Sequence, residues 1–214
     1  MLKQPSYNRA RNAKYATYDR DAVDAILHAG LVGHVGFIAD GRPMVMPMIY
    51  ALGENCIYLH GASKARIIKL GQGTPLSMTV TLVDGIVAAR SAFHHSMNYR
   101  CAVVHGTGRT VTDVAEHEHA MQALTEHLLP NRYEEVRPIT AQERKATGII
   151  ALDIEAASVK IRQGPPSDDK EDLDLGIWAG VIPVTTALGR AIADNHSPVT
   201  DEPRSVKAAR IKFA

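Results

Sequence analysis

From Gly33 to Tyr50 the apolar positions fall in two runs, Gly33 to Ile38 and Pro43 to Tyr50, on either side of Ala39-Asp40-Gly41-Arg42. An Asp-Gly pair at the centre of such a link predicts a tight β-hairpin. Met44-Val45-Met46-Pro47-Met48-Ile49 is apolar at every position, the pattern of a strand covered on both faces, although Pro47 demands an edge, a bulge or a barrel opening. A third run, Cys56 to His60, follows the turn Leu52-Gly53-Glu54-Asn55. From Ser77 to Val83 the pattern alternates: Met78, Val80 and Leu82 predict a core face, and Ser77, Thr79 and Thr81 a small polar one. Asp84-Gly85 predicts a turn into Ile86-Val87-Ala88-Ala89, and a long strand is expected from Tyr99 to Val111. About six hairpin-linked strands with too few helices for crossovers predict a mainly β protein built on a small closed antiparallel barrel.

Helices frame these strands. One is expected from Asp21 to His28, started by Asp19 and Asp21 and ended by Gly30, with Val23, Ile26 and Leu27 inward. Val114, His117, Met121, Leu124 and Leu128 make one stripe on a helix from Ala115 to Leu129. Thr140 with Glu143 is a capping-box pattern, leading into a strand from Gly148 to Ile154. From Gln163 onward the chain is rich in Pro, Gly and Asp. Residues 1–162 are therefore expected to form the barrel domain with its helices, and 163–214 a C-terminal arm that completes or covers it and reaches toward a partner subunit.

Composition narrows the class. With 214 residues, 45% of them hydrophobic and 22% charged, the chain can bury a full core in one domain with appendages. A net charge of +1 gives no electrostatic case for nucleic acid, and the basic stretch Arg204 to Lys212 is expected to be a solvated tail. No apolar run approaches the roughly 20 residues of a membrane span, and Met1-Leu2-Lys3-Gln4-Pro5-Ser6 lacks the apolar core of a secretory signal, so a cytoplasmic location is expected. Cys56 and Cys101 lie in apolar runs and read as small buried hydrophobes, not as a disulfide.

The candidate chemistry sits between His60 and Arg100. Ser63, Lys64 and Arg66 stand at a predicted helix start, where a capping hydroxyl, free amides, the helix dipole and two cations suit a phosphate dianion. The plain alternative is that Ser63 only caps and the two cations are only solvated. Adjacent His94 and His95 would point to opposite faces of a strand, and His117 and His119 diverge on a helix, so no metal site is expected. Asn98, Tyr99 and Arg100 either line a pocket or are ordinary polar residues at a strand start. No Ser/His/Asp triad, Walker loop or Gly-x-Gly-x-x-Gly fingerprint is present.

Leu59-His60-Gly61, Ser63-Lys64-Ala65-Arg66, Thr79 to Gly85, the long Ser91 to Arg100 segment and Trp178-Ala179-Gly180-Val181 together resemble the pyridoxamine 5'-phosphate oxidase-like, FMN-binding split-barrel family, over about Arg11 to Pro183. The resemblance implies a six-stranded antiparallel split β-barrel. It implies a homodimer with two pockets across the subunit interface, FMN as cofactor, and oxidoreductase chemistry on an unidentified small molecule. Met46, Pro47, Met48 and Ile49 would run past the isoalloxazine, Leu59 and His60 would lie beside the ribityl chain, and Ser63, Lys64 and Arg66 would hold the phosphate. Asn98, Tyr99, Arg100 and Trp178 join the cofactor-binding set. The rival readings are a non-catalytic flavin- or haem-binding protein that stores or senses its cofactor, and a deazaflavin-dependent reductase. After Trp178 the chain reads Ala179-Gly180-Val181-Ile182-Pro183-Val184 with no arginine before Arg190, so the substrate-binding arginine motif of true pyridoxamine phosphate oxidases is missing and vitamin B6 oxidation is not expected.

Overall fold

A computed structural model describes residues 4–197, 199 and 201–214. Ten strands and five α-helices occur among them. The Asp-Gly hairpin forms as expected. Strands β2 (Gly33–Ala39) and β3 (Arg42–Met48) pair antiparallel from Ala39↔Arg42 to Gly33↔Met48, and both turn residues take positive φ, 53° at Asp40 and 70° at Gly41. β3 is an edge strand, exposed along most of its length, where its pattern predicted cover on both faces. Pro43 and Pro47 have no amide hydrogen to give to a further strand, and an edge is where that costs nothing.

β4 (Tyr50–Leu52), β5 (Cys56–Ala62), β6 (Pro75–Ala88), β7 (Ser96–Thr110) and β8 (Thr147–Asp153) complete the antiparallel path β3-β2-β6-β7-β8-β5-β4. Three shorter strands attach to it. β1 (Ala16–Thr17) pairs with β9 (Ala156–Arg162), β9 also pairs with β7, and β10 (Gly180–Pro183), from the C-terminal arm, lies on the edge of β6. The hydrogen-bonded path is open, not the closed barrel of about six strands expected. Its ends, β3 and β4, are joined only through Ile49 along the chain.

The turn expected at Asp84-Gly85 does not form, and β6 continues through it with a bulge between Val83 and Gly85. There the Asp84 carboxylate is bound by Arg100, and a Cβ on Gly85 would sit 3.0 Å from Val181 of β10. The missing side chain admits the extra strand. A second glycine shapes the junction of the two halves: β7 pairs with β9 up to His105 and with β8 from Gly108, and a Cβ on the intervening Gly106 would lie 1.7 Å from the Asp153 carbonyl oxygen.

The main core lies on the inner face of β2, β6, β7 and β9, where Val35, Met78, Val80, Val104 and Val159 pack against Ile57, Leu59, Ile150 and Leu152 of β5 and β8. Helix α1 (Arg20–Ala29), capped by Asp19 accepting from the Ala22 amide, adds Val23, Ile26 and Leu27. The reverse face of β5 and β8 carries Cys56, Tyr58, Ile149 and Ala151 onto helix α3 (Val114–Leu128). That helix buries His117, Ala120, Leu124 and His127, while Val114 is exposed, so its inward stripe is rotated from the expected one. Two histidines occupy the inward face because each finds a carbonyl there: His117 Nε2 meets Thr147 O at 3.1 Å and His127 Nε2 meets Gly30 O at 2.8 Å. Tyr50 donates to Leu27 O at 2.6 Å, so Tyr50 and His127 together serve the carbonyls at the end of α1.

Helix α2 (Arg66–Leu70) is a short turn after β5, and α4 (Ala141–Ala146) carries both bonds of the Thr140/Glu143 capping box. The basic stretch expected as a solvated tail is instead helix α5 (Arg204–Lys212). It docks beside α3, with Ser205 Oγ donating to Glu135 at 2.6 Å and Lys212 Nζ donating to the His127 carbonyl. Cys56 and Cys101 are free thiols. Among the described residues no helix is long and apolar enough to cross a membrane.

Burial, with Lys212 and His28 close by, pushes His127 down to about 4. A histidine depressed in the fold stays neutral where the unfolded chain has already taken up a proton, so its contribution to stability is present above about pH 6.5 and is lost as pH falls toward 4. His127→Gln keeps a donor for Gly30 O and removes the titration. Denaturant unfolding is therefore expected to show the wild type losing on the order of 2–3 kcal/mol more than the variant between pH 7 and pH 4; parallel pH profiles would reject the assignment.

Candidate cofactor site

The predicted residues occupy three places. At the open edge, Met44, Met46 and Met48 alternate on the face of β3 that looks to the core, since Met46 pairs with Val35, and Val35 with Met78. Pro43, Val45 and Pro47 take the opposite face, paired with Ile38, Gly36 and His34. Ile49 breaks the strand between β3 and β4.

The second place is the end of β5. Leu59 is wholly buried, opposite Tyr50, whereas His60 is half-buried and opposite Ile149 on the α3 side of the sheet. Strand alternation thus divides the expected pair: Leu59 shapes the core, and His60 alone offers a polar atom. Its Nδ1 is buried without a partner among the described residues, and burial lowers its pKa, which favours the neutral ring.

Ser63 and Lys64 follow in an exposed turn. Ser63 donates its backbone amide to Ala146 O at 2.8 Å and does not cap the helix; the N-cap position is Ala65, which has no side-chain bond to give. Arg66 is exposed, with its guanidinium 3.9 Å from Asp40 at the hairpin tip, so the β2–β3 turn and the start of α2 flank one solvent-open surface. An ion pair this long and this exposed is worth little and leaves Arg66 available to an anion.

The third group lies at the far end of β7. Asn98 is buried, receiving a bond from Arg162 Nη1 and donating to Gly164 O at 3.2 Å. Arg100 grips Asp84 through Nε at 3.0 Å and Nη2 at 2.7 Å, which raises its pKa and commits both arms of its fork. Tyr99 lines a cleft of ≈ 360 Å³ with Arg11, Asn12, Tyr15, Lys160 and Arg162, and Lys160 Nζ lies 5.8 Å from its ring centroid. Trp178, on the arm, is 67% exposed. The structure therefore brings Arg66 to the tip of the β2–β3 hairpin, leaves Met46 and Met48 further along β3, and puts Asn98, Tyr99 and Arg100 at another place on the same chain.

Sequence reasoning missed what fastens the arm. Asp168 accepts from the backbone amide and from Nη1 of Arg90, both at 2.8 Å, and its side chain is almost fully enclosed. Next to it, His94 Nε2 meets Asp169 at 3.2 Å, and Arg162 bonds the Gly164 and Pro165 carbonyls. Asp168 sits in a Gly-Pro-Pro-Ser-Asp-Asp stretch that reads as a linker, and no local pattern announces a partner 78 positions away. The cleft was missed for the same reason, since Arg11 and Tyr15 precede the first recognisable helix.

The family model described as pyridoxamine 5'-phosphate oxidase matches residues 19–161, and the chain belongs to that family. Among solved structures, the flavocytochrome Anf3 from Azotobacter vinelandii is 33% identical over 95% of this chain and 96% of its own, with a TM-score of 0.89. The FAD- and haem-binding protein from Mycobacterium smegmatis is 32% identical over 92% of this chain and 97% of its own, with a TM-score of 0.86. A protein from Bacteroides thetaiotaomicron described as a 5-nitroimidazole antibiotic resistance protein shares the fold at 15% identity, over 72% of this chain and 95% of its own, with a TM-score of 0.55. No curated protein sequence matches the chain.

Replacing Asp168 with Ala leaves the Arg90 amide and guanidinium without their acceptor. The segment from Gly164 to Asp172 is expected to be cut faster by a non-specific protease than in the wild type, while the strands keep their protection; unchanged cleavage there would show that the pair does not hold the arm.

Proposed function

We propose that this chain is a flavin- and haem-binding redox protein that works as a homodimer. The observation that carries the reading is the 33% identity and TM-score of 0.89 shared with a flavocytochrome along 95% of the chain, which the 32% identity to an FAD- and haem-binding protein supports. An oxidoreductase role follows from the cofactors: a flavin supplies hydride or single-electron transfer, and a haem supplies single-electron transfer or ligand binding at iron.

The residues present fit a flavin. The edge at β3 offers Met46 and Met48 for the ring and free backbone groups for its polar rim, and His60 on β5 carries an orphaned buried nitrogen. Ser63, Lys64 and Arg66 supply exposed donors and cations for a phosphate, without any helix cap from Ser63. This end would hold the mononucleotide portion common to FMN and FAD. The surface also fits a haem, with half-exposed Ile86, Met97 and Ile182, the far more exposed Trp178 and Phe93, and several histidines nearby.

A second copy accounts for the division of the site. The outer face of β3, β2 and β6 presents Val45, Ile38 and Val83 to solvent, and the arm exposes Leu173, Leu175, Ile177, Ile182, Val184 and Leu188. Apolar area of this extent suits an interface, and a pocket across it would bring the open edge of one copy to the Asn98–Arg100 end of the other.

The test is the purified protein itself. Its absorption spectrum should show flavin and haem bands, chromatography of the released flavin separates FMN from FAD, and a deazaflavin would announce itself by its own absorption. Light scattering should return twice the chain mass of 23.2 kDa, and a cofactor-loaded monomer would overturn the shared pocket. Arg66→Ala should weaken FMN binding by about one to two decades, the loss of one charge-assisted bond of about 1.5–3 kcal/mol, with riboflavin binding little changed. Equal losses for the two ligands would remove Arg66 from the phosphate site.

A further inference from the structure

A histidine that ligates a metal nearly always donates its other ring nitrogen to a carbonyl or carboxylate, because that bond fixes the tautomer and the direction of the lone pair. His95 has this arrangement. Its Nδ1 is 2.8 Å from the Ser91 carbonyl oxygen, and since a carbonyl only accepts, the proton is on Nδ1 and the lone pair on Nε2, at an exposed position. The bond spans four residues across the short turn Ala92–His94, so the ring is held by local backbone.

The surroundings of His95 are apolar and open. Two residues on, Met97 pairs with Ile86, which in turn pairs with Ile182 of β10, so the three form one row across β7, β6 and β10. All three are about half exposed, and Phe93, two residues before His95, is 89% exposed. A row of aliphatic side chains beside an exposed aromatic is the surface on which a porphyrin face would rest.

The other histidines lack this presentation. His94 uses Nε2 on Asp169, leaving only the nitrogen nearest its own backbone, and the Phe93 ring stands 5.0 Å from its ring. His117 and His127 spend Nε2 on the carbonyls of Thr147 and Gly30 inside the fold. His60 has its Nδ1 buried with nothing to orient it, and His105 packs edge-on to Tyr7. His28, His34, His119 and His196 make no ring-nitrogen bond among the described residues.

We propose that His95 would ligate the haem iron through Nε2, with the Ser91 carbonyl orienting the ring and the Ile86–Met97–Ile182 row offering the porphyrin an apolar surface. The proposal rests on the flavin- and haem-binding reading above. The Ser91 carbonyl is a positioning group, acting only through the His95 ring.

The experiment loads the full-length wild type, His95→Gly, His95→Met and His94→Ala with haemin in the presence of flavin. Haem per chain is read by the pyridine haemochrome assay, iron coordination by the visible and electron-paramagnetic resonance spectra, and folding by flavin content and circular dichroism. Losing a ligand's orienting partner alone costs about 10–100-fold in metal affinity, so His95→Gly should lose at least about tenfold in haem affinity. It should keep its flavin and its circular dichroism, and added imidazole should restore the wild-type spectrum. His95→Met should hold haem with an altered coordination spectrum, while His94→Ala keeps the wild-type one. Wild-type haem binding with an unchanged spectrum in His95→Gly or His95→Met would overturn the ligand assignment and leave the cofactor reading standing. A wild type that takes up flavin and no haem would overturn both.

Discussion

The architecture turns on one close approach, that of the β8–β9 corner to Gly106. β7 is the strand shared by both halves of the sheet, and it can change partners from β9 to β8 only if another backbone crosses it within atomic contact. The Asp153 carbonyl occupies the place where any side chain on residue 106 would begin, and Glu155 donates its amide to His105 O at 3.1 Å just beyond. Glycine is required there for space, not for an unusual backbone angle.

From this junction the rest of the packing follows. β8 and β5 acquire two buried faces, one on the main core through Ile57, Leu59, Ile150 and Leu152, the other on α3 through Cys56, Tyr58, Ile149 and Ala151. Because α3 lies over that second face, it reaches the end of α1, where His127 and Tyr50 meet the carbonyls of Gly30 and Leu27. α5 then closes over His127 through Lys212 and Phe213. Each layer presents polar atoms to partners that exist only once the layer beneath is in place.

The same geometry keeps the candidate cofactor residues at the margins. β3 is left as an edge because its prolines cannot donate, and the β6–β7 hairpin extends past the core to carry Ser96, Met97 and Asn98 outward, where the arm is tied back by Arg90, Asn98 and Arg162. Polar bonds hold the arm and apolar side chains face away from it, a distribution suited to a surface that receives another molecule.

What the sequence determined by itself was local. The Asp40-Gly41 hairpin, the Thr140/Glu143 capping box, helix α1 and the inward face of Met78 and Val80 were legible because a turn, a cap or an alternation is a property of neighbouring residues. Family membership was legible too, through long segments such as Ser91 to Arg100. Tertiary structure alone decided the matters that depend on distant partners. It chose the edge for β3 among the alternatives that Pro47 left open, carried β6 through Asp84-Gly85 with a bulge where β10 and Arg100 meet it, turned His127 of α3 inward, and folded the basic C-terminal stretch into a docked helix. Periodicity tells which face a side chain takes and not what will stand opposite it. The bonds of Asp168 to Arg90 and of Tyr50 to Leu27 became visible only when the chain had closed around them.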